Sequence, residues 1–343
     1  MKRIVFASLV VVASILLGAC GTSVSTTQRR FTSVAMTTST TGWAATKVGL
    51  FYTHDDGHTW QDVTPFRSSL QGAIVHVFGR TAWVVRYSKQ HGIEIDSTTS
   101  NGRNWRRRTI LRDSSYRPSA FGVAGTDMEW LLLQEQPSSG YIPAKLYIST
   151  NGGAAWQLAS DTGSGSMPTG GKLTLLNSHT AILAGFGIAT LSHPLLYMST
   201  NGAKDWVPIR LPSRAADASV GIVVDRLVRI NATLALLVLH TLNVPSSMQV
   251  YSVELGEPQR TTIVRLTQGG PFEVVTGGNG TVALLSHQDV YMLAPRFSSA
   301  LEHVGTYQSR FSSVEVVSRR IYFGIYQGTI WKTTTAGDAW SRL

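Results

Sequence analysis

The chain has 343 residues, 43% of them hydrophobic, with 30 Lys and Arg against 20 Asp and Glu and a single cysteine. Its length and apolar content exclude an unfolded polar chain and suffice for a core that needs no staples. The lone thiol excludes an internal disulfide framework, and a formal charge of +10 calls for anionic surroundings: phospholipid headgroups, acidic envelope polymers or an acidic partner.

In chain order, Lys2 and Arg3 precede an apolar run from Ile4 to Leu17, interrupted only by Ser8 and Ser14 and followed by Gly18, Ala19 and Cys20. A basic start, a short apolar stretch and small residues read as a secretory signal, too short to span a bilayer comfortably. Leu17 to Cys20 resembles the lipobox of bacterial lipoproteins. The resemblance implies cleavage before Cys20, a diacylglycerol on its sulfur, and a chain anchored on the extracytoplasmic side of a bacterial envelope membrane. Residues 1–19 are then signal and 20–30, ending in the polar "GTSVSTTQRR", a lipidated flexible tether; 31–343 form one domain. Loss of Lys2 and Arg3 lowers the formal charge by two. Nucleic acid fits the sign of the charge but not the location, and is not expected as a partner.

One octet then recurs: Ser or Thr, any residue, a small polar turn-former, any residue, Gly, two more residues, Trp. The copies are "THDDGHTW" (Thr53, Asp55, Gly57, Trp60), "TTSNGRNW" (Thr98, Gly102, Trp105), "STNGGAAW" (Ser149, Asn151, Gly153, Trp156), "STNGAKDW" (Ser199, Asn201, Trp206) and "TTTAGDAW" (Thr333, Gly337, Trp340). Glycine supplies a backbone conformation closed to other residues, the hydroxyl and Asp or Asn oxygens accept local N–H groups, and Trp buries apolar surface beside the turn. The acidic position is filled only at Asp55, and Ala203 stands for glycine in the fourth copy, which is expected to weaken that turn. The octet resembles the Asp-box, or bacterial neuraminidase repeat, of sialidases, sortilin-type receptors, some glycoside hydrolases and the photosystem II assembly-factor family.

No octet occurs between Trp206 and Thr333, but the strand leading into each can be followed through it. Its marker position is Phe51, Asp96, Tyr147, Tyr197, Tyr251, Tyr291 and Trp331, at steps of 45, 51, 50, 54, 40 and 40 residues. Seven units of about forty residues, each with four strand-like runs, predict an all-β seven-bladed propeller of four-stranded antiparallel blades. Six or eight blades stay open, because two units carry no octet. First and last units both look whole, so closure is expected from face-to-face packing or from a strand within 26–30.

If the strands run A to D, the octets lie in C-to-D turns and share a face with the A-to-B turns. The longer loops between B and C and between blades fall on the other face, where binding residues are expected. The densest basic run, "RNWRRRTILR", supplies Arg106, Arg107, Arg108 and Arg112, with Tyr87, Lys89, Tyr116 and Arg117 from neighbouring loops, as a candidate patch for an acidic protein or anionic polymer. The competing reading places Arg106 to Arg108 on an outermost strand, where charge blocks edge pairing. The photosystem II assembly factors also carry a basic patch, but no arginine transfers individually.

An enzyme is the rival class. "PIRLP" places Arg210 in the X-Arg-X-Pro arrangement of sialidases, but after the fourth octet instead of before the first. A glycosidase needs two carboxylates across the scissile bond, for which Glu94, Asp127, Glu129 and Glu135 are the candidates. His54 and His58 alone have ligand-like spacing, and no metal or cofactor is expected. The expectation is a monomeric, non-catalytic protein-binding or assembly scaffold; the alternative is a glycan-binding or sialidase-like propeller.

Overall fold

The computed structural model describes residues 30–343 apart from 68, 113–114, 126, 136–142, 169, 186–195, 210–221, 242–243, 256–260, 269–271, 277–280 and 295–296. Seven four-stranded antiparallel sheets follow one another as blades 1 to 7, spanning 33–62, 74–111, 117–161, 171–209, 222–268, 272–306 and 313–342. In every blade the strands pair in sequence order, A to D, and no sheet borrows a strand from another. The A strands of neighbouring blades touch at five of the seven seams, which puts A innermost and D at the rim.

All seven marker residues fall on strand C, Asp96 included. The two units without octets form complete blades, so the ring has seven blades and not six or eight.

Each strand B turns alternate side chains to opposite sheet faces. In blade 2, Ala82 and Val84 join a cluster with Trp43, Tyr52 and Val63 of blade 1, whereas Trp83 and Val85 join Phe121, Leu131 and Leu133 of blade 3. Seven such clusters fill the seven seams of the ring. The octet tryptophans belong to these seams. Trp105, Trp156, Trp206 and Trp340 each pack against the preceding blade, and Trp60 packs between blades 1 and 7. The octet therefore cements neighbouring blades as well as pinning its own hairpin.

Among the described residues, closure is by packing. Phe31, Phe51 and Trp60 meet Phe323, Ile325 and Ile330 of blade 7, with Leu343 against them. The Phe31 N–H donates to Gly328 O at 3.0 Å, the Met36 N–H to Glu315 Oε1 at 2.5 Å, and Lys332 pairs with Asp56. Residues 26–29 lie outside the described residues. No helix among the described residues is long and apolar enough to cross a membrane.

Candidate interaction face

The octet turns share one geometry. The leading hydroxyl accepts the N–H four residues on: Thr53 from Gly57, Thr98 from Gly102, Ser149 from Gly153, Ser199 from Ala203, and Thr333 from Gly337, at 2.9–3.2 Å. The third residue, as Asp55, Ser100, Asn151, Asn201 or Thr335, accepts the N–H of the seventh. Burial would raise the Asp55 carboxyl, but hydrogen bonds from Thr59 and Thr53 outweigh it and hold it below the usual range. The fifth residue is left-handed throughout, with φ of 84, 78, 76, 65 and 101° at Gly57, Gly102, Gly153, Ala203 and Gly337. Ala203 keeps the bonds of its turn at a cost of roughly 1–2 kcal/mol for a left-handed non-glycine residue. Its buried methyl sits in the seam between blades 3 and 4.

Each turn is also laced to its blade's A-to-B turn, through Asp56 N to Thr40 O, Asn101 N to Arg80 O, Gly152 N to Asp127 O, Gly202 N to His179 O and Ala336 N to Arg320 O. The leading hydroxyls and the third-position oxygens are occupied within the turns. This face is framework.

On the opposite face, the seam between blades 2 and 3 gathers part of the basic candidate set. Tyr87 lies near the end of strand B of blade 2 (Thr81–Ser88), and Arg117 opens strand A of blade 3 (Arg117–Ala124). The Arg117 guanidinium carbon lies 3.5 Å from the Tyr87 ring centroid, and its Nη1 donates to Tyr116 O at 2.8 Å. The Lys145 ammonium stands 4.3 Å from the Tyr116 ring centroid. Both rings pack into the seam cluster, so the cations rest on aromatic faces fixed from below. The turn carrying Lys89 is pressed against the chain at Arg112: a Cβ on Gly92 would fall 2.7 Å from Arg112 Cα. Lys89 and Arg112 are exposed beside the ladder. Sequence reasoning missed Lys145, which stands on strand C of blade 3 opposite Leu133 of strand B, and Leu133 in turn faces Pro118 two residues after Tyr116.

The arginine run divides. Arg106 and Arg108 are exposed on strand D of blade 2 (Arg106–Leu111), at the rim and away from the ladder. Arg107 turns inward. Its Nε donates to Asp96 Oδ1 at 2.7 Å, and Arg86 reaches Asp96 at 3.1 Å and Glu94 at 3.2 Å. The Asp96 bond, opposed by burial, raises the Arg107 guanidinium further above its ordinary value. Asp96 is fully buried where the six other blades carry an aromatic marker, so blade 2 buries two acids and Arg86, with the partly exposed Arg107 reaching in from the rim.

The four candidate acids do not converge. Glu94 is in that quartet, and Glu135 accepts from Ser115 on the loop face. Asp127 lies in an A-to-B turn beside Glu129, at the other end of strand B of blade 3 (Met128–Gln134) from Glu135, roughly 20 Å away at the rise of a β-strand. Glu129 is buried and accepts the Trp83 indole N–H at 2.8 Å across the seam. Burial pushes its carboxyl up to about 7 against the lowering effect of that bond. Its Oε2 has no hydrogen-bond partner.

A second polar cluster escaped the sequence. Asp225 occupies a bulge on the innermost strand of blade 5, where pairing passes from Val224 with Leu239 to Arg226 with Val238. Its Oδ2 is 2.6 Å from His240 Nδ1, and its carbonyl accepts the Lys172 ammonium from blade 4. Burial holds Lys172 below its ordinary value; Asp225 opposes this and Arg226 adds to it. Arg210 lies outside the described residues. No group of three metal-ligating side chains occurs among the described residues, which leaves His54 and His58 as an isolated pair.

The fold defines a seven-bladed β-propeller. No family model matches the chain, and no curated protein matches it. Similar solved structures include YCF48 bound to D1 peptide, at 15% identity over 79% of this chain and 81% of that one, with a TM-score of 0.48. An ancestral GH74 enzyme matches at 14% identity over 90% of this chain and 44% of its own, with a TM-score of 0.51. A prolyl endopeptidase matches at 10% over 79% and 41%, with a TM-score of 0.54. This chain spans less than half the length of the last two, and the likeness at these identities is one of fold.

Proposed function

We propose that the protein is a lipid-tethered extracytoplasmic propeller, of the Asp-box kind, that serves as a non-catalytic scaffold for an acidic protein partner. The observation that carries this reading is the ladder of Tyr87, Arg117, Tyr116 and Lys145 across the seam of blades 2 and 3. Cations held on buried rings lose little freedom when a carboxylate arrives, and arginine and tyrosine dominate the energetics of protein interfaces. Lys89 and Arg112 extend the positive field and steer acidic partners toward it. A sugar site needs open aromatic platforms, whereas here a cation covers a face of each ring. The location rests on the lipobox-like Leu17 to Cys20 and on the signal before it.

Affinity capture of the intact protein from membranes tests the proposal, with R117E/K145E as the comparison. Retention of a partner by the native chain and at least a tenfold loss in the variant is the expected result. Binding on a glycan array with no protein retained would overturn it.

A further inference from the structure

The chain enters the propeller on the loop face. The Phe31 N–H bonds to Gly328 O in the B-to-C turn of blade 7, and a Cβ on Gly328 would lie 2.7 Å from Arg30 Cα. Ten residues join Cys20 to Arg30, a reach of at most about 35 Å even when fully extended. With lipid on Cys20, the membrane lies within that reach of this face, at the side of blade 1.

That part of the face carries two large apolar side chains pointing outward. In the B-to-C turn of blade 1, the Thr46 hydroxyl accepts the N–H groups of Val48 and Gly49, and this tight turn leaves Val48 67% exposed. The turn is tied to the connection toward blade 2, where Thr64 Oγ1 accepts the Leu50 N–H. Two residues beyond Thr64, Phe66 adopts a left-handed φ of 51° and is 52% exposed. A bulky aromatic in that conformation is strained. The strain secures no core packing, since the ring is carried outward over the Arg107 guanidinium at 4.2 Å. Lys47, Lys89 and Arg112 are exposed on this face in the same two blades. Asp62, which ends strand D of blade 1, accepts the Thr64 N–H and hydroxyl.

We propose that the loop-face tips of blades 1 and 2 dock on an anionic phospholipid bilayer, with Val48 and Phe66 entering the interface and the surrounding cations on the headgroups. Apolar tips ringed by lysine and arginine match an interface that is apolar inside and negative at its surface. The inference rests on the reading of Cys20 as lipidated, and uses none of the ladder on blades 2 and 3. Docking in this pose holds that ladder at the level of the headgroups.

The test uses the full-length chain carrying one environment-sensitive fluorophore at V48C, at F66C, or at K204C on the octet face. Each is reconstituted in vesicles with brominated acyl chains, made either of phosphatidylglycerol with phosphatidylcholine or of phosphatidylcholine alone. Quenching at 48 and 66 several times that at 204, present with phosphatidylglycerol and lost in K47E/K89E/R112E, is the expected result. Equal quenching at all three positions, or a Cys20 shown by mass spectrometry to carry no lipid, would overturn the proposal. Partner capture in detergent by V48S/F66S reports separately on the scaffold reading, and there native retention is expected.

Discussion

Glu129 shows how one side chain couples a seam to pH. With its carboxyl pushed up to about 7 from an ordinary 4.5, the folded state holds the proton more tightly than the unfolded chain does. A group shifted upward in this way disfavours folding once ionised, so the penalty is absent below the unfolded value and complete above the folded one. Stability therefore falls between about pH 4.5 and 7, by roughly 3 kcal/mol at this site. Glu129→Gln keeps an acceptor for Trp83 and removes the charge. It is expected to match the native protein near pH 5 and exceed it at pH 8 in urea denaturation; equal pH slopes would refute the assignment. In sequence Glu129 was one of several scattered acids. Aligning strands on the octets exposes it, because the residue opposite each octet hydroxyl is Gly42, Ala82, Glu129, Ala181 or Tyr322. Three of these are small; the glutamate reaches a neighbouring blade through Trp83, as Tyr322 does through Val304 O.

At the scale of the element, strand C of blade 2 (Gly92–Thr98) departs from its counterparts. The spacing located Asp96 correctly on strand C, and nothing in the spacing told why an acid should stand there. The answer lies on the two flanking strands, where Arg86 and Arg107 converge on it. Arg107 was legible only as part of a basic run, because reading a rim strand requires knowing which residues its alternation turns inward. Removing the shared acid leaves two guanidinium groups facing each other with Glu94 alone between them. Asp96→Ala is expected to destabilise the protein by about 3–5 kcal/mol, the usual cost of breaking a buried ion pair from one side. Chemical denaturation measures it, and a loss under about 1 kcal/mol would mean that water replaces the carboxylate. The octets were legible for the opposite reason. The bonds that their leading hydroxyl and third residue accept close within eight residues, so that part of the pattern carries its own explanation.

Across the whole molecule, a ring of seven blades was the expectation from the repeat with six or eight left open, whereas the mode and chemistry of closure were not readable. The groups that close the ring are far apart in sequence: Met36 and Glu315 are separated by 279 residues, and Lys332 and Asp56 by 276. Among the described residues the closing seam has no strand ladder and depends on Phe31, Trp60 and their neighbours. Phe31→Ala is expected to cost about 3–5 kcal/mol. In hydrogen exchange it should speed the amides of Phe31's neighbours in blades 1 and 7 while those between blades 3 and 4 keep their native rates. Uniform acceleration around the ring would show that the seams open together.

Because no sheet is split between distant parts of the chain, each blade is inherited as one uninterrupted stretch of sequence. Phe31 and Leu343 meet in the same cluster, so a peptide linker could join them and the polypeptide be cut afresh between any two blades without dividing a sheet. The order of blades along the gene is thus a matter of descent more than of architecture. A lineage that duplicated, lost or rotated whole blades could pass through rings in which every hairpin remained intact.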